Sequence, residues 1–163
     1  MLEFRRSSIF LYNTHMGKEL TFKELQKITS QCVGSVLFIP TKNEVDFNDP
    51  SFPLEIPKDN LLTIPKDKNS DPFEWADNCI TKFKNDPVCV LIPGTRFDTY
   101  GTRHGKGAGW YDRFLSKIPT NWLRVGIIDS SKFSNSKLIR QEWDESVHWV
   151  IVKDNISWKV YKA

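Results

Sequence analysis

The stretch VCVLIPG, Val88 to Gly94, is apolar at every position before its proline. A strand with one wet face alternates apolar and polar residues, whereas an unbroken apolar run belongs to a strand covered on both faces, as in the interior of a parallel sheet. SVLFIP (Ser35 to Pro40), LRVGIID (Leu123 to Asp129) and WVIV (Trp149 to Val152) read the same way, and SSIFLY (Ser7 to Tyr12) is a further short run of β-formers. Helical segments fall between them. TFKELQKITSQCV places Phe22, Leu25, Ile28 and Cys32 at helical spacing, with Thr21 and Glu24 as a capping box. DPFEWADNCITKFK offers Asp71 as cap, Pro72 at the first helical position and Glu74 in the first turn, and WYDRFLSKI is the third helix. Alternating strands and helices predict an α/β fold, a three-layer sandwich with a mostly parallel central sheet flanked by helices. Residues 41–70, rich in Pro, Asn, Asp and Lys, read as a long loop with a strand pair around EVDF and FPLEI.

At 163 residues and 39% hydrophobic content, the chain is expected to form a single domain over residues 1–163. The net charge of +3 is mild, and the basic residues form no stripe interleaved with aromatics, which argues against a nucleic-acid partner. There is no apolar run of membrane-spanning length and no secretory signal at the start, so the expectation is a soluble, cytoplasmic protein without a membrane partner. Cys32, Cys79 and Cys89 are odd in number and lack CxxC spacing, which disfavours disulfides and zinc; Cys89, inside VCVLI, reads as a core residue.

Open parallel sheets bind ligands at the carboxyl ends of their strands. After VCVLIPG comes a short connection carrying Arg96 and Asp98, then RHGKGAGWYDR. Gly105, Gly107 and Gly109 let the backbone bend sharply and turn consecutive N–H groups toward an anion, and the following helix adds its N-terminal dipole. Arg103, Lys106 and Arg113 add full positive charge. The segment is either a polyphosphate cradle or a flexible connection, and it matches neither the P-loop nor the dinucleotide pattern. Asp112 beside these cations suits either a magnesium ion held jointly with phosphate or a first-turn helix charge. Trp110 and Tyr111 either border a flat ligand or pack the helix on the sheet.

VLIPGTRFDTYGTRHGKGAGWYDRFL resembles the signature of the 5-formyltetrahydrofolate cyclo-ligase family, an apolar strand, P-G-x-x-F-D, then G-x-R-L-G-x-G-x-G-Y-Y-D-R-x-L. From Arg103 to Arg113 only His104 for leucine and Trp110 for tyrosine depart from it. QEWDESVHWVIV is similar to the family segment that sets an aspartate, here Asp144, before the last core strand. The resemblance implies ATP-dependent closure of 5-formyltetrahydrofolate to 5,10-methenyltetrahydrofolate, releasing ADP and phosphate. It implies ATP and a reduced folate as small-molecule partners and Mg2+ as cofactor, and it says nothing of protein partners. Arg103 and Lys106 would be catalytic. Gly105, Gly107, Ala108, Gly109, Trp110 and Tyr111 would join them around ATP, and Asp112 and Asp144 would ligate the metal. Leu11, Glu19, Lys106, Gly107, Gly109 and Trp110 would meet the folate; alignment on Thr21 sets Lys18 where the family has a pterin-contacting glutamate and leaves Glu19 as the shifted candidate. SSIFLY begins at residue 7, which leaves no room for the helix that carries ATP-contacting cations in the family, and of the family's proline-containing segment LTIPKD keeps Pro65. His104 reads as a shape substitute for leucine. Two other readings fit the same residues: a nucleotide- or folate-binding relative without catalysis, and an ATP-dependent enzyme for another formyl or amide compound.

Overall fold

Val88, Val90 and Ile92 pack in one apolar cluster and Cys89 and Leu91 in another, so the two clusters lie on opposite faces of one sheet. The computed structural model describes residues 18–66 and 69–163. Among the described residues the main sheet has seven strands: β1 (Lys18–Leu20), β2 (Gly34–Phe38), β3 (Leu61–Ile64), β4 (Val88–Ile92), β7 (Leu123–Asp129), β9 (Trp149–Asp154) and β10 (Ser157–Lys162). Their order is β1-β10-β9-β7-β4-β2-β3. From β9 to β3 every pairing is parallel, and β10 and β1 close one edge antiparallel. The α/β sandwich with a mostly parallel sheet is borne out.

Helices α2 (Pro72–Phe83) and α3 (Trp110–Lys117) cover one face; α1 (Phe22–Thr29) helps cover the other. The caps form as the sequence indicates: the Thr21 N–H donates to the Glu24 carboxylate at 2.9 Å, and the Phe73 N–H to Asp71 at 2.9 Å. Cys79 and Cys89 are buried core residues, and burial pushes the Cys79 thiol up to about 12.

The long loop departs from expectation. EVDF and FPLEI form no strands; the strand lies after them, at Leu61–Ile64. Pairing is unnecessary because the loop acts as cover. Leu54 is buried in the second cluster, and Val45, Phe47, Phe52 and Ile56 pack against it. Phe47 meets Phe38 edge-on at 5.1 Å and Phe52 meets Trp158 at 5.2 Å. α1 also stops four residues short of Val33, and SSIFLY lies outside the described residues.

A second sheet of three short strands, β5 (Arg96–Asp98), β6 (Arg103–His104) and β8 (Phe133–Ser134), is anchored by Phe97, which is fully buried. Its ring fills a notch left by glycines: a Cβ at Gly126 would stand 2.5 Å from the ring and one at Gly94 2.8 Å. Gly126→Ala is therefore expected to destabilise the fold by about 1–3 kcal/mol, the cost of overpacking a rigid core. Thermal denaturation checks it, and adding Phe97→Leu should recover part of the loss.

Candidate active site

The parallel strands β2, β3 and β4 end at Phe38, Ile64 and Ile92, and the residues there open onto a cavity of about 740 Å3. Its wall includes Phe38, Ile64, Pro93 and every residue from Arg103 to Asp112, together with Asp144. The cavity is where a parallel sheet leaves space, because adjacent loops part beyond the strand ends. Among the described residues, Lys66, Arg103, Lys106 and Lys132 give it four cations against the three carboxylates of Glu44, Asp112 and Asp144.

Arg103 is the most constrained of the cations. It is 8% exposed, its Nε donates to the Pro93 carbonyl at 2.6 Å, and its guanidinium lies 4.8 Å from the centre of the Tyr111 ring. Burial draws its pKa down, while the surrounding charges of Tyr111, Asp112 and Glu44 oppose that. Arginine keeps its proton regardless. A Cβ at Gly105 would stand 2.9 Å from the guanidinium, so that glycine makes room for Arg103.

Gly107 and Gly109 serve the turn itself. Their φ angles are +93° and +67°, with open space where a Cβ would be. Gly109 caps α3 from the left-handed region, which costs a glycine little. Arg113 does not add its charge to the cavity; it folds back, donating from Nε to the Gly109 carbonyl at 3.2 Å and from Nη2 to Ala108 at 2.5 Å. Lys106 is exposed on the loop. Trp110 and Tyr111 are 5% and 4% exposed, so they are core residues that also border the cavity. The Trp110 indole donates to the Ser70 carbonyl at 2.9 Å and stacks on Phe114.

Asp112 and Asp144 come from α3 and from the irregular segment before β9. Asp112 accepts the Glu145 N–H at 3.0 Å, and Asp144 accepts the Gln141 N–H at 2.7 Å. Burial raises the Asp112 pKa, Asp144 and Glu145 add to this, and the Glu145 N–H and Arg103 oppose it. Each carboxylate uses one oxygen for its backbone partner, leaving one for a cation. Among the described residues no three His, Cys, Asp or Glu side chains gather as a complete metal site. A carboxylate pair at a cationic loop fits magnesium, which takes one or two carboxylates and completes its shell with phosphate oxygens and water.

Behind this pair sits a buried ion pair. Arg124, 5% exposed, donates to Glu145 at 3.0 Å and to the Leu115 carbonyl at 2.8 Å, with its Nε unpartnered. Asp98 is also structural. It is fully buried and accepts the N–H groups of Tyr100, Thr102 and Leu138 at 2.8 to 2.9 Å.

A family model described as the 5-formyltetrahydrofolate cyclo-ligase family matches residues 4–153. The chain belongs to that family. A 5-formyltetrahydrofolate cyclo-ligase of Mycoplasma pneumoniae is 27% identical over 156 residues, spanning 93% of each chain. One of Mycoplasma genitalium is 32% identical over 118 residues, covering 71% of this chain and 69% of the relative. A solved structure of a 5,10-methenyltetrahydrofolate synthetase from Mycoplasma pneumoniae aligns at 20% identity and a TM-score of 0.48, over 84% of this chain and 90% of that one.

Of the residues singled out as a cyclo-ligase site, those from Arg103 to Asp112 and Asp144 meet in one cavity. The backbone of Glu19, on β1, pairs with that of Tyr161 on β10, at the other edge of the described sheet from β3. Leu11 and the stretch where the family carries its first helix lie outside the described residues. His104 does more than fill leucine's place: its Nε2 lies 2.7 Å from the Ile139 carbonyl and ties that segment to the loop. Glu44, Lys66, Lys132 and Trp143 line the cavity without having been anticipated. Only Lys66 had a legible signal, since it follows the proline of LTIPKD.

Proposed function

We propose that the protein, acting as one domain over residues 1–163, closes 5-formyltetrahydrofolate to 5,10-methenyltetrahydrofolate at the expense of ATP, releasing ADP and phosphate. The observation that carries this reading is the position of the family signature. Its arginine, lysine, glycines and aspartate line one cavity at the strand ends, across from Asp144.

In this reading the formyl oxygen attacks the γ-phosphorus, N10 then adds to the activated formyl carbon, and phosphate leaves. Such chemistry asks the protein for alignment and charge neutralisation more than for proton transfer. Arg103 and Lys106 neutralise the phosphates, and the backbone N–H groups from Gly105 to Gly109 approach them closely. The stretch from Lys106 to Trp110, with Tyr111 beside it, borders the junction of the two substrates. Asp112 and Asp144 hold magnesium, which supplies further neutralisation of phosphate charge when bound.

Incubation of the purified protein with MgATP and 5-formyltetrahydrofolate, followed by the absorbance of the methenyl product, tests the reading. Product formation that requires both substrates is expected. Binding of either substrate without turnover would overturn the catalytic assignment. Asp112→Asn is expected to raise the magnesium concentration needed for half-maximal rate about tenfold or more, as loss of a tuned carboxylate does at metal sites. A magnesium titration of the rate at saturating ATP checks it.

A further inference from the structure

Two large apolar side chains stand in solvent on the segment between β8 and β9, Ile139 at 78% exposure and Trp143 at 68%. Both belong to the cavity wall. Their backbone is not loose. The Ile139 carbonyl meets His104 at 2.7 Å, Arg140 donates to Thr102 Oγ1 at 2.8 Å, the Gln141 N–H to Asp144 at 2.7 Å, and the Glu145 N–H to Asp112 at 3.0 Å. The segment is pinned on both sides of Trp143, while the indole itself has no ring or hydrogen-bond partner among the described residues. An exposed indole on a pinned backbone at a cavity is suited to cover a flat ring, because little backbone ordering remains to be done on binding.

We propose that Trp143 is a specificity-determining residue that stacks on the adenine of ATP. This rests on the function proposed above. Two observations favour the nucleotide base over the folate. Trp143 directly precedes Asp144, the carboxylate assigned to the phosphate-bound metal, so it stands on the nucleotide's side of the cavity. Glu142 and Asp144 flank it in sequence, and two adjacent carboxylates repel the carboxylate-bearing tail of a folate while tolerating a neutral purine.

The experiment measures equilibrium binding by calorimetry, with magnesium present, of ATP, inorganic tripolyphosphate and 5-formyltetrahydrofolate to the full chain and to Trp143→Ala and Trp143→Phe. Loss of one base-stacking contact is expected to weaken ATP binding to the alanine variant about 5- to 150-fold, with most of the affinity kept by phenylalanine. Tripolyphosphate, which has no base, and the folate should bind both variants as they bind the parent. Melting temperatures should agree, since the indole is exposed. Unchanged ATP affinity in Trp143→Ala overturns the assignment. So does a loss shared equally by ATP and tripolyphosphate, which would mean a disturbed phosphate site, or a loss confined to the folate. If the parent chain binds no ATP, the proposed function fails along with it; if the parent binds ATP and the variants bind it equally well, only the role of Trp143 fails.

Discussion

Arg103→Ala is expected to lower kcat/KM for the cyclisation about 100- to 1000-fold, the range seen when one preorganised donor to a developing charge is removed. The size of the effect follows from how Arg103 is held. The Pro93 carbonyl and the Tyr111 ring hold it without any substrate, so in the proposed reaction its charge would meet the phosphates without reorganisation. Arg103→Lys should recover little, because a lysine ammonium cannot bond Pro93 through a planar Nε–H, lie on the ring and still present two further donors. Steady-state kinetics with ATP varied checks both variants. A lysine variant with near-parental kcat would mean that charge alone matters there, not the clamp.

Glu145→Ala should be the most destabilising surface-proximal change in the site, at about 3 kcal/mol. Removing one member of a buried ion pair leaves an uncompensated charge, at a cost of about 3–5 kcal/mol, and the 32% exposure of Glu145 places this case at the low end. For a chain of this size that is a fall of about 6 to 12 °C in melting temperature. Arg124→Met should cost less. It takes the Leu115 carbonyl's donor away, but the carboxylate it leaves behind is 32% exposed and can be hydrated, whereas the guanidinium that Glu145→Ala leaves is buried. Thermal melts of the two variants side by side test the asymmetry; equal losses would mean that Arg124 contributes through packing instead of charge.

The sequence conveyed the sheet's centre because VCVLI and WVIV are apolar at consecutive positions, and LRVGIID is so apart from Arg124 and its closing Asp129, as burial on two faces requires. It conveyed the Arg103–Asp112 wall of the cavity because that wall is contiguous, one loop and one helix start. It was silent where position depends on partners distant in the chain. ISWKVYK has the alternation of a strand but gains its place from β9 and β1, and EVDF and FPLEI look like strands yet serve as cover. Arg113 was assigned to the cavity on charge, but a rotamer that brings it to the Ala108 carbonyl is invisible in a list of residues.

The long cover over residues 41–57 has a consequence for the order of assembly. It supplies Thr41, Asn43 and Glu44 to the cavity wall, yet it is secured by residues near the other end of the chain. Asp49 meets Lys153 at 2.9 Å, 104 positions away, and Ser51 meets the Trp158 indole at 3.1 Å, 107 positions away. Contacts of such separation form only after the intervening chain has been brought together, since loop closure must precede them. The part of the cavity rim that this cover supplies is therefore secured only once the β9–β10 hairpin has docked.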